Sequence, residues 1–186
     1  MQFLKKHWSN ILFVLLIALL LIPQTRLPIQ VFIQRLFSGA PGTISKEKQD
    51  TLTAYNWPLQ SLDGQSVDFS SSSGKVIVLN SWATWCPPCL AEMPSLQNLY
   101  NDYGQKVDFY FVSTEEAKTL LQFMARKKYS FPVYIETIAP PAVLQSSALP
   151  TTFVISKTGK IVVKETGAAD WNSNKVRILL DELLTE

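Results

Sequence analysis

The stretch from Lys75 to Cys89, KVIVLNSWATWCPPC, constrains this 186-residue chain more than any other. Its opening residues, KVIVLN, are almost unbroken apolar, the pattern of a strand buried on both faces. Such a strand needs a layer on either side, so the rest of the chain must supply two. After Ser81 the chain turns. Cys86-Pro87-Pro88-Cys89 then opens a segment whose apolar residues Leu90, Met93, Leu96, Leu99 and Tyr100 keep helical spacing to about Tyr103. Both prolines suit a first helical turn, where a missing N–H leaves nothing unpaired. Gly104 ends the helix.

The same reading extends along the chain. Tyr55–Leu62 and Gln65–Phe69 are two short strands about an Asp63-Gly64 turn. Val107–Ser113 is a second buried strand. Glu115–Lys128 is a helix with Ala117, Leu120, Leu121 and Met124 inward and Glu115 and Glu116 at its positive start. Pro132–Glu136 is a short strand, and Ile138–Ala148 a loop with one helical turn. Thr151–Ser156 and Lys160–Lys164 form a hairpin about Lys157-Thr158-Gly159. Asn172–Leu183 is a closing helix capped near Asn172 or Ser173. Alternation of strand and helix, then a hairpin and a helix, predicts an α/β domain with a mixed central sheet over residues 50–186, long enough to bury one core.

The N-terminal quarter is different in kind. Residues 11–22, ILFVLLIALLLI, carry no polar side chain, and Lys5 and Lys6 precede them. This is the pattern of a signal sequence or a signal anchor, with the positive flank on the cytoplasmic side. Twelve residues of helix span only ~18 Å against a ~30 Å hydrocarbon core, so the run needs Trp8, Ser9 and Asn10 to lengthen it. A small-x-small cleavage site, Ser38-Gly39-Ala40, lies far beyond the run, which favours an uncleaved anchor over residues 1–25. In Pro28–Phe37 the residues Ile29, Phe32, Ile33, Leu36 and Phe37 form an apolar stripe, with Pro28 in the first turn. That helix lies either on a membrane face or against the folded domain. Residues 38–48 read as linker, making 26–49 a helix and linker between anchor and domain. With the positive flank inside, the domain lies outside the cytoplasm, on a single-pass protein of the cytoplasmic membrane. A net charge of +2 gives no reason to expect a nucleic-acid partner.

Cys86 and Cys89 are the two cysteines of the chain. Zinc normally takes four ligands, and the chain adds only His7 and carboxylates, so a metal centre is disfavoured. A structural staple across so short a loop gains little. A redox couple fits better. A sulfur at a helix N-terminus faces unpaired N–H groups and the positive end of the dipole, which favours the thiolate, the attacking species. Cys86, earlier and more exposed, attacks; Cys89, one turn on, resolves the mixed disulfide. Trp82 and Trp85 shelter the pair, although Trp82 equally suits the core.

The motifs WATWCPPC and ALPTTFVIS, in this order of strands and helices, resemble the thioredoxin-fold TlpA/ResA-like thiol–disulfide oxidoreductases over about residues 50–186. The resemblance implies a thioredoxin-like fold and a redox-active Cys86–Cys89 disulfide that needs no further cofactor. It implies a cis Leu149–Pro150 peptide facing the cysteines, where Trp85, Pro87, Leu149, Pro150 and Thr151 receive a protein substrate; from the residues alone, Pro150 is an ordinary proline opening a strand. It also implies an acid–base role for Glu92, three residues after Cys89; otherwise Glu92 is a solvated helix carboxylate. The position six residues before the first cysteine, an Asp in thioredoxin, is Asn80, which cannot titrate. The implied activity is reduction of disulfides in extracytoplasmic proteins, apocytochrome c among them, with electrons from a membrane thiol donor. Two other readings remain: a peroxiredoxin-like thiol peroxidase, and a non-catalytic thioredoxin-fold binding module.

Overall fold

A computed structural model describes residues 7–21 and 23–186. Helices α1 (Trp8–Leu21) and α2 (Pro23–Phe37) lead into strands β1 (Pro58–Ser61), β2 (Ser66–Asp68) and β3 (Ile77–Ser81). Helix α3 (Pro87–Tyr103), strand β4 (Asp108–Ser113), helix α4 (Ala117–Lys127) and strand β5 (Val133–Glu136) follow, then the hairpin β6 (Thr151–Ile155) and β7 (Ile161–Thr166), and helix α5 (Asn174–Thr185). The seven strands form one sheet in the order β2-β1-β5-β4-β3-β6-β7. β4 is parallel to β3 and β5, while β6 is antiparallel to β3 and β7. The expected mixed sheet is therefore present, with β3 and β4 at its centre.

Both central strands are apolar over most of their length because both faces are covered. Side chains alternate across a strand. Val76, Val78, Phe109 and Phe111 face a core shared with Leu96, Leu99, Leu120 and Phe123 of the helices. Ile77, Leu79, Tyr110 and Val112 face a second core closed by Trp57, Phe69 and Leu144, which lie in loops and short 3-10 turns. One layer is thus helical and the other is largely the N-terminal hairpin region. In the β6–β7 turn Gly159 has φ +79, and a Cβ there would lie 2.7 Å from the carbonyl oxygen of Leu52. The turn is therefore packed against the strap that precedes β1.

Several boundaries differ from the sequence expectation. β1 starts at Pro58 rather than Tyr55, and Phe69 leaves β2 for a 3-10 turn capped by Asp68, whose side chain accepts from Ser70 N. α4 starts at Ala117 with Glu116 as its N-cap, and α5 at Asn174 with Ser173 as its N-cap. α2 begins at Pro23, so Pro28 stands inside the helix and not in its first turn. A proline there removes one intrahelical donor without ending the helix, and apolar spacing alone does not sense it. Residues 38–48 are not a free linker. Asp170 N donates to Gly39 O at 2.8 Å, Ile44 N to Val162 O at 2.8 Å, and Lys175 Nζ to Pro41 O at 2.8 Å. Polar backbone groups fix this strap, and side-chain periodicity carries no trace of them.

Among the described residues no helix is long and apolar enough to cross a membrane. Lys5, Lys6 and Ile22 lie outside the described residues. α2 packs on α3, where Arg35 Nε donates to Ala91 O at 3.4 Å. Its stripe residues Phe32, Ile33, Leu36 and Phe37 remain exposed, Phe37 by 80%. One face of this helix therefore meets the domain, while the apolar stripe is exposed.

Candidate active site

The site forms where β3 ends and α3 begins. Trp82 is buried against Phe123, with ring centroids 5.4 Å apart, so its place is the core. Trp85 is 67% exposed and stands as apolar surface next to Cys86. The intervening loop is clamped by Glu115, whose carboxylate accepts from Thr84 N at 2.6 Å and Thr84 Oγ1 at 2.7 Å. Glu115 therefore lies outside α4 and holds the approach to Cys86, a role that helix-start reasoning had missed. Its only sequence signal is its place just after a buried strand.

Cys86 is the N-cap of α3, and Pro87 and Pro88 occupy the first turn, as expected. Cys86 and Cys89 are joined by a disulfide, with their Cα atoms 5.3 Å apart. Cys89 N donates to Cys86 Sγ at 3.3 Å, so one orphan donor of the helix start points at the sulfur that would carry charge after reduction. Cys86 is 3% exposed and Cys89 fully buried. The helix continues through Pro94.

Register places the second half of the site at the same sheet end. Ser81 pairs with Thr151 and Asn80 with Thr152, which sets the Leu149–Pro150 peptide beside the β3 exit. That peptide is cis. Leu149 lines a cavity of about 460 Å³ with Ser81, Trp82, Thr114, Leu144 and Ser146. Thr151 is buried, and its hydroxyl donates to Ala148 O at 2.9 Å. It shapes the loop rather than offering itself to a ligand. Leu149 is exposed and Pro150 buried.

Glu92 is not solvated. It is 1% exposed beneath the cysteine turn, and three donors converge on it. Asn80 Nδ2 donates to Oε1 at 2.8 Å, while Trp171 Nε1 at 2.8 Å and Ala169 N at 3.3 Å donate to Oε2. Asn80 Nδ2 also donates to Thr152 Oγ1 at 2.7 Å. Burial pushes the Glu92 carboxyl up to about 8, against the opposing pull of the three donors. Glu165 on β7 adds a small repulsion in the same direction as burial. Asn80, read only as a residue that cannot titrate, turns out to be a direct partner of the carboxylate. Trp171, in the loop before α5, was not foreseen at all. Among the described residues no three His, Cys, Asp or Glu side chains gather as a metal site.

Comparisons with known proteins agree with this arrangement. Residues 45–180 match the Redoxin family. Thiol-disulfide oxidoreductase ResA of Halalkalibacterium halodurans is 36% identical over 117 residues, which cover 61% of this chain and 66%, just under two thirds, of that protein. ResA of Bacillus cereus is 33% identical over 153 residues, covering 75% of this chain and 87% of that protein. Among solved structures, a DsbF homologue from Corynebacterium diphtheriae superposes with a TM-score of 0.60 at 20% identity, over 77% of this chain and 95% of that one, a likeness of fold. The chain belongs to the Redoxin family, in the thioredoxin-fold, ResA/TlpA-like branch of thiol–disulfide oxidoreductases.

Proposed function

We propose that the chain is a membrane-anchored protein disulfide reductase of the extracytoplasmic space, with Cys86 and Cys89 as its dithiol. The observation that carries the reading is the Cys86–Cys89 pair at the N-terminus of α3 with a buried carboxyl, Glu92, one turn further along the helix. In the reduced protein the Cys86 thiolate attacks a substrate disulfide. A Cys86–substrate bond forms and the first substrate sulfur leaves as a thiolate. Glu92 takes the Cys89 proton, and the Cys89 thiolate attacks Cys86 Sγ. The Cys86–Cys89 bond re-forms and the second substrate sulfur leaves. The substrate gains two electrons, the enzyme loses two, and both substrate thiolates collect protons from Glu92 and solvent. The disulfide itself carries the electrons, without a further cofactor.

The exposed Trp85 and Leu149 and the cavity beside the cis Leu149–Pro150 peptide suit an extended polypeptide laid across the sulfurs. Substrates are disulfides of extracytoplasmic proteins, apocytochrome c among them. In an oxidising compartment an anchored dithiol is of most use as a selective reductant, which requires a membrane thiol donor to re-reduce it. The apolar run of residues 11–22 and the exposed stripe of α2 support an N-terminal anchor with the stripe resting on the lipid surface. The test is insulin disulfide reduction driven by dithiothreitol: Cys86→Ser abolishes it, and full retained activity refutes the reading. Carbonate extraction of cell membranes should leave the chain in the pellet; release into the supernatant refutes the anchor.

A further inference from the structure

The two oxygens of Glu92 are not equivalent. Oε2 accepts from the Trp171 ring N–H and the Ala169 backbone N–H. Neither group has a lone pair to offer, so neither can accept a proton's hydrogen bond in return. A proton placed on Oε2 would displace one of them and leave a buried donor unpaired. Oε1 accepts from the side-chain amide of Asn80, which carries both a donor and an acceptor. The amide's own oxygen, Oδ1, is buried and has no partner. Oε1 is therefore the oxygen that can take a proton without displacing Trp171 or Ala169.

The geometry points to Asn80 and Trp171 as positioning residues that set the pH at which Glu92 takes a proton. This rests on the thiol–disulfide reading for its purpose but not for its test. Asn80 comes from the central strand β3, and the same Nδ2 that meets Glu92 also donates to Thr152 Oγ1 of β6. Trp171 is fully buried, and its backbone N–H is held in turn by Ser95 Oγ of α3 at 3.2 Å. Both donors are thus fixed to elements that do not move with Glu92's own side chain. Each stabilises the ionised carboxylate against the desolvation that opposes it. Glu165 of β7 acts on Glu92 through space, and the sulfurs of Cys86 and Cys89 share its helix. With the donors in place the carboxyl titrates close to neutral pH, where it can both receive the Cys89 proton and return it.

The test is a carbon-13 NMR titration of side-chain carboxyls on the oxidised full chain, with the Glu92 signal assigned by its loss in Glu92→Gln. Asn80→Ala and Trp171→Phe each remove one donor to the ionised form and should raise the Glu92 midpoint by about one pH unit. Two separate variants guard against one failing to fold. Reduction assays across pH on the same variants should show the kcat profile displaced in the same direction, and Glu92→Gln combined with Asn80→Ala should show no further displacement. A Glu92 midpoint unmoved in the folded variants overturns the proposal. Because the titration is made on the disulfide form, its outcome is independent of whether insulin reduction requires Cys86.

Discussion

Replacing Glu92 by Gln removes a titrating group from beneath the disulfide while keeping its shape. The Gln oxygen can accept from Trp171 Nε1 and Ala169 N as Oε2 does. The Gln amide then faces Asn80, whose unpartnered Oδ1 supplies an acceptor once the Asn side chain turns over. The variant therefore keeps the side chain's shape and the partners of Trp171 Nε1 and Ala169 N. Its stability should depend on pH differently from that of the parent. In the folded protein the Glu92 carboxyl titrates at about 8, above the ordinary value of 4.5. Between these values the native state binds a proton that the unfolded chain has released. The stabilisation is therefore complete below the unfolded value and is lost as pH rises through the folded one. Within that window the loss is a little over 1 kcal/mol per pH unit, so about 3 kcal/mol from roughly pH 5.5 to 7.5. At a urea dependence of about 1–3 kcal/mol per molar, the midpoint difference between parent and variant should change by about 1–3 M across the range. Urea unfolding of both proteins, disulfide intact, measures it. Every other titrating group is common to the pair and cancels in the difference. Parallel midpoints from pH 5.5 to 7.5 would show that Glu92 is ionised in the folded state throughout, and the reasoning about its burial would be wrong.

Three further outcomes can be checked. Leu96→Ala, at a fully buried position between α3 and the sheet, should lower stability by about 2–5 kcal/mol, read from the same urea curves at fixed pH. Lys128 caps α4 with φ 58, in the left-handed region. Lys128→Gly should therefore raise stability by about 0.5–1 kcal/mol, seen by calorimetry as a rise of about 1–4 °C. Cys89→Ala should leave mixed disulfides on Cys86 that survive alkylation and vanish on reduction, and their absence from non-reducing gels would remove Cys89 as the resolving sulfur.

Legibility followed the physics of each signal. β3 and β4 could be read because two-sided burial writes a long apolar run into the chain. β1 and β2 are short strands toward the sheet edge, with partly buried side chains, so their ends carried little pattern and drifted by a few residues. The redox turn was plain because Cys, Pro and a helix start coincide locally. Backbone bonds that strap residues 39–44 to β7 and the loop before α5 leave no mark on side-chain identity, so that strap looked like linker.

Glu92 marks the limit of such reading. Its spacing from Cys89, Met93 and Leu96 puts it on the buried side of α3, yet its charge argues for solvent, and periodicity alone cannot say which prevails. What decides is whether donors wait in the interior to receive it. Those donors come from Asn80, 12 residues before it, and from Trp171 and Ala169, 79 and 77 residues after it. A buried carboxyl without them would carry the full desolvation penalty. Only the closing of the sheet, which brings β3, β6 and the loop after β7 to one end of α3, supplies them. The burial of this carboxyl with its donors in place is thus a property of the topology as much as of the residue, and a local motif search would find the cysteines while passing over the groups that hold the carboxyl beneath them.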